Sequence, residues 1–195
     1  IYLNRWLELL YPGEFREGID YAVMFYGGRL LAHVSLEREP TSDVLDQEDA
    51  DDLVNLLRIN QHSAILIDSD RRKANTPLNP TKLRVQAECE KSNIPCWITA
   101  GREIENCLPI KAIAATFAEL ANVPKPELRL PRYGAIETAL AGAFGKLWKR
   151  SHYYNQAKPQ LARLIAKHMT KEQILPEVKE WIDRLARLIR HEPSP

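Results

Sequence analysis

The chain of 195 residues is 45% apolar, carries 27 Lys and Arg against 26 Asp and Glu, and contains 8 Gly, 13 Pro and 3 Cys. That apolar content, with a net charge of +1, excludes a disordered chain, and no stretch approaches the roughly 20 uncharged apolar residues of a membrane span. A soluble globular protein is expected, as one compact domain or a domain with an appended helical piece.

The chain opens without Met on Ile1-Tyr2-Leu3-Asn4-Arg5-Trp6-Leu7-Glu8-Leu9-Leu10, a helical pattern with no capping residue ahead of it, and so reads as a piece of a longer protein. Tyr21 to Tyr26 is a continuous apolar run ending at Gly27-Gly28, as a buried strand ends in a turn, and a second such strand follows. An acidic segment from Thr41 to Asp52 leads into a helical face of Leu53, Val54, Leu56 and Leu57. Ser63 to Ile67 is the most hydrophobic strand pattern of the chain. Pro80, at a tolerated first position, opens a helix that runs to about Asn93, and Pro95 to Thr99 reads as a further strand. Strands alternating with helices imply an α/β architecture, a parallel sheet flanked by helices.

Beyond Asn122, prolines 124, 126 and 131 forbid a continuous helix, and the composition changes across this join. Residues 1–124 hold 13 Lys and Arg against 19 Asp and Glu, whereas residues 125–195 hold 14 against 7. The predicted organisation is therefore an α/β domain over 1–122 and a helical extension over 123–195. Ile110 to Ala121, Ala135 to Lys149, Lys158 to His168 and Lys171 to His191 all show apolar residues at three- and four-residue spacing.

Cys89, Cys96 and Cys107 lack CxxC spacing and are expected as buried free thiols in a reducing, cytoplasmic setting. Trp6, Trp97, Trp148 and Trp181 fall on apolar faces, and core packing is expected of each. The five histidines have no metal-ligand spacing, and neither a serine-hydrolase elbow nor a phosphate-binding P-loop is present.

The strongest chemical signal is Ile67-Asp68-Ser69-Asp70-Arg71-Arg72-Lys73. In extended backbone, residues two apart point the same way, so Asp68 and Asp70 are expected as a pair at the carboxyl end of a strand, where open α/β sheets bind ligands. Two like charges held together call for a hard cation, Mg²⁺ or Mn²⁺. The alternative is a polar turn with Asp68 closing an Asx turn. One strand along, Gly101-Arg102-Glu103-Ile104-Glu105-Asn106 brings two further carboxylates to the same edge, and four acids suffice for two ions. Glu103 is open to another role, capping a helix or bonding to Arg102.

Taken together, Phe25-Tyr26-Gly27-Gly28-Arg29-Leu30-Leu31, Leu56-Leu57-Arg58-Ile59-Asn60, Ile67-Asp68-Ser69-Asp70 and Gly101-Arg102-Glu103-Ile104-Glu105-Asn106 resemble, in order and spacing, the Toprim domain of the OLD (overcoming lysogenization defect) family of nucleases. The resemblance covers roughly residues 1 to 110 and implies metal-dependent hydrolysis of DNA phosphodiesters by a two-metal mechanism, with RNA as the alternative substrate. It also implies an ABC-type ATPase domain upstream in the same chain, through which alone ATP would act, a homodimer, and a role in phage defence. Asp68 and Asp70 would hold one ion, Glu105 with Glu103 a second, and Ser69 would add a hydroxyl ligand or simply form the turn. In that family a glutamate ends the first strand just before a helix like the opening one. That strand is expected immediately upstream of Ile1, because Glu8, Glu14 and Glu17 are poor substitutes. A fainter likeness, Lys158-Pro159-Gln160-Leu161-Ala162-Arg163, gives Lys158 the family's catalytic lysine role against the scissile phosphate. Lys146, Lys149, Arg150 and Arg163 are candidates for contact with the DNA backbone. A catalytically degenerate binding or assembly module and, more faintly, a small-molecule phosphatase are the remaining alternatives.

Overall fold

A computed structural model describes residues 1–24, 62–145 and 153–192. Its described residues form six α-helices and a two-stranded parallel sheet, a mixed α/β arrangement. Helix α1 spans Tyr2–Leu10 and has no side-chain cap at Ile1, as the sequence implied. Strand β1 (Ile65–Ile67), helix α2 (Pro80–Lys91) and strand β2 (Cys96–Ile98) make one βαβ unit, with Ile65 opposite Cys96, Leu66 opposite Trp97 and Ile67 opposite Ile98. Helix α2 starts cleanly because the Asn79 side chain accepts the Thr81 N–H at 2.8 Å and Pro80 needs no hydrogen-bond acceptor. It stops where Asn93 takes φ 53° and the Ile94 N–H returns to the Cys89 carbonyl at 2.8 Å.

The period of two in the strands divides the core. Ile65, Ile67 and Cys96 turn toward Val85, Cys89 and Ile94 of the α2 unit. Leu66 and Trp97 turn the other way, into a larger core that draws on both ends of the chain. There Trp97 stacks on Trp181 at 4.9 Å between ring centres and meets Trp6 at 6.0 Å. Each such aromatic contact adds about 0.5–1.5 kcal/mol beyond the area it buries. Trp97 thus ties β2 to α1 and to α6 (Pro176–Ile189), and the second half of the chain packs on the sheet. Helix α3 (Ile110–Ala121) matches its expected bounds and ends at Asn122, φ 52°, with the Val123 N–H returning to Ala118. It packs against α5 (Tyr153–His168).

Several expected elements change. Residues 21–24 form no strand: Gly18, at φ 84°, turns the chain back so that Tyr21 only bridges Glu17. The expected helix from Ala135 is α4 (Ile136–Phe144), closed by Gly145 at φ 55°. Helix α5 begins five residues before Lys158 and accommodates Pro159 in its interior. The expected continuous helix from Lys171 to His191 is broken, because Leu175 precedes a proline and is extended. A short 3₁₀ turn, Lys171–Gln173, therefore stands apart from α6. The expected elements between Phe25 and Asn60 lie outside the described residues, as do Trp148 and the end of the helical segment expected from Ala135 to Lys149. Among the described residues, no helix is long and apolar enough to cross a membrane. Cys89 and Cys107 are buried, Cys96 is half-buried, and all three are free thiols.

Candidate functional site

The carboxyl ends of β1 and β2 are bound together by a small polar lattice. Past Ile67, the Thr99 N–H continues the ladder to the Ile67 carbonyl at 2.9 Å. The Ser69 N–H donates to Thr99 Oγ1 at 2.9 Å, and both hydroxyls, Ser69 Oγ at 2.5 Å and Thr99 Oγ1 at 3.1 Å, donate to the Gly101 carbonyl. Ser69 also accepts the Arg71 N–H at 3.2 Å, so its buried hydroxyl is spent on forming the turn. The Asp70 N–H donates to the Arg102 carbonyl at 2.8 Å. Gly101 is required here: a Cβ would stand 2.5 Å from Asn106 Cβ and 2.7 Å from the Arg132 carbonyl oxygen. Asn106 fixes the far side, accepting the Glu103 N–H at 2.8 Å and donating to the carbonyls of Pro131 and Gly134 at 3.0 and 2.9 Å.

This lattice sets the acids. Asp70 takes φ 55°, so the backbone leaves the extended region and the period-two argument for parallel Asp68 and Asp70 side chains does not hold. Asp68 is half-buried, and its Oδ1 accepts the Ile104 N–H at 2.7 Å. That donor is an otherwise unpaired amide at the start of the 3₁₀ turn Ile104–Cys107. Burial, and after it the charge of Glu105, push the Asp68 carboxyl up to about 6; the Ile104 amide and Lys82 act in the opposite sense and are outweighed. Glu105 also faces Tyr2 of α1, whose hydroxyl is raised chiefly by burial and secondarily by that carboxylate. Among the neighbouring carboxylates, Glu105 raises Asp68 more than Asp70 does.

Asp70 is bound instead to Lys82, a residue the sequence reading did not single out. Its ammonium, on the first turn of α2, donates to the Asp68 carbonyl at 2.5 Å and to the Asp70 carboxylate. Lys82 is 5% exposed, while the Asp70 side chain is 64% exposed. A lysine that deep is seen only when paired. Its place in the first turn of a helix gave no signal of this, since its partners lie 12 and 14 residues back.

Glu103 is in the alternative role: it pairs with Arg102 at 2.9 Å and stands at the start of the 3₁₀ turn. Burial raises its carboxyl, with Glu105 next in effect. Lys158 and Arg163 lie on exposed positions of α5, and Lys146, Lys149 and Arg150 lie outside the described residues. Of the remaining acids, Glu14 pairs with Arg190 at 2.6 Å and Glu17 accepts from Asn4. Among the described residues, no three His, Cys, Asp or Glu side chains form a ready cation cage. The donor chemistry is nonetheless that of a hard-ion site: Asp68 at the end of β1, Asp70 and Glu105 offer only oxygen, and Glu105 and Asp70 both raise the Asp68 carboxyl, an effect a cation would relieve. No protein-family model, curated protein or solved structure matches the chain.

Proposed function

We propose that this chain is the nuclease region of a divalent-metal-dependent endonuclease of Toprim type, hydrolysing DNA phosphodiesters, as its resemblance to the OLD family implies. The observation that supports it best is the acidic edge, where the half-buried Asp68 carboxyl is raised by burial and then by Glu105, and Asp70 stands exposed two residues on. Asp68, Asp70 and Glu105 would hold Mg²⁺ or Mn²⁺. When bound, the ion supplies charge neutralisation at a phosphodiester and a more acidic water. Lys82 holds the Asp70 carboxylate in place, and the Ile104 amide orients Asp68. A second ion would require Glu103 to leave Arg102. Lys158 is the candidate cation against the scissile phosphate. The upstream ATPase domain, the homodimer and the phage-defence role belong to the same reading.

The test is nicking of supercoiled plasmid with Mg²⁺ or Mn²⁺ by this chain and by a form extended upstream through the expected glutamate. Metal-dependent nicking lost in Asp68→Ala and Asp70→Ala supports the reading; a folded, extended protein that leaves DNA intact overturns it. One observation favours a second reading, a binding or assembly module: Lys82, Arg102 and the Ser69 turn already satisfy much of the edge internally. That reading predicts no binding of divalent ions.

A further inference from the structure

The acidic edge is followed at once by three cations, Arg71, Arg72 and Lys73, before the chain reaches Asn79 and enters α2. Opposite charges so close in sequence would ordinarily neutralise each other, but here the nearby carboxylates are engaged elsewhere. Asp70 is bound to Lys82, Glu103 to Arg102, and Asp68 to the Ile104 amide. Among the described residues, no carboxylate pairs with Arg71, Arg72 or Lys73, and the buried Arg71 Nε has no hydrogen-bond partner. Arg72 and Lys73 are exposed. The turn that carries them is fixed at its base: Asp70, at φ 55°, reverses the chain, the Arg71 N–H is held by Ser69 Oγ, and the Thr76 N–H closes onto the Lys73 carbonyl at 3.1 Å.

We propose that the turn of Arg72 and Lys73 is a phosphate-backbone contact for duplex DNA, placed next to the acidic edge so that the strand it holds passes over Asp68 and Asp70. This inference deepens the nuclease reading and rests on it. It answers a requirement of that reading, since an edge of carboxylates repels a polyanion and needs fixed cations beside it to bring one in. The basic candidates named from the sequence are all in the second half of the chain; these two are in the first, on the loop that leaves the acids.

The test separates binding from cleavage. Affinity for a duplex oligonucleotide is measured in EDTA between 50 and 200 mM salt, for the wild-type chain, for Arg72→Gln/Lys73→Gln, and for Lys91→Gln. Lys91 is the last residue of α2, beyond the sheet's opposite end, and serves as a control for loss of a surface cation away from the acidic edge. Two lost phosphate contacts should lower the slope of log affinity against log salt by about 1.8, so that the advantage of wild type shrinks about tenfold across that range. The Lys91 variant should keep the wild-type slope, and melting temperatures should be unchanged in both. A wild-type slope in the double variant overturns the inference and leaves the nuclease reading intact. A wild-type chain that binds no DNA overturns both.

Discussion

Replacing Asp68 with Asn should make the metal-free protein more stable at neutral pH. Asn keeps an oxygen for the Ile104 N–H, bonded at 2.7 Å, and removes the charge that faces Glu105. The Asp68 carboxyl moves from 3.8 to about 6 on folding. Between those values the folded chain retains a proton that the unfolded chain has lost, so stability falls as pH rises through that window and stays reduced above it. A shift of about two units at 1.36 kcal/mol each corresponds to about 3 kcal/mol, and partial exposure of the side chain brings this to about 2–3. For a chain of this length that is roughly 4–12 °C in melting temperature. Calorimetry in EDTA at pH 7.5 should show the gain, and it should diminish as pH falls from 6 toward 4. A variant less stable than wild type at pH 7.5, or a difference that does not change with pH, would refute the argument and mean that the Ile104 bond and Lys82 outweigh burial and repulsion together.

Three further outcomes follow from the lattice behind the acids. Gly101→Ala forces its methyl against Asn106 and the Arg132 carbonyl and should cost about 1–3 kcal/mol, read from the midpoint of urea unfolding. Lys82→Met leaves the Asp68 carbonyl without its donor and should cost about 1–3 kcal/mol by the same measurement, while Arg72→Gln, at an exposed position, should cost nothing detectable. Burial pushes the Cys107 thiol up to about 12, so at pH 8 it should react with a disulfide reagent only as fast as the chain opens; prompt reaction in the folded state would contradict its placement in the core.

The parts of this fold legible in the sequence are those set by local periodicity. Ser63 to Ile67 and Pro95 to Thr99 read as strands because their apolar runs are short and bounded, and both strands appear within those limits. Helix α3 matched at both ends because an apolar face meets Pro109 on one side and Asn122 on the other. Tyr21 misled because an apolar run says nothing of the Gly18 turn before it. Two prolines behaved differently: Pro176 starts α6, whereas Pro159 lies within α5, a difference their residue type alone does not announce.

The site was legible in its ingredients and much less in its geometry. Asp68, Asp70, Glu103 and Glu105 were identifiable as acids at one sheet edge, because strand ends locate them. Which of them face each other was not, since that depends on the αL conformation of Asp70, on Ser69 and Thr99 converging on the Gly101 carbonyl, and on Asn106 reaching Pro131 and Gly134. Lys82 was invisible for the same reason. Its partners lie 12 and 14 residues back, and nothing in local spacing distinguishes it from a solvated helix lysine.

The account rests on the acidic edge as a cation site, and titration of Mn²⁺ into the chain by calorimetry tests that directly. Wild type should bind saturably, Asp70→Asn should abolish the binding, and Glu105→Gln should weaken it by about 10–100-fold. A folded wild-type chain that takes up no Mn²⁺, or binding left unchanged in Asp70→Asn, would contradict it.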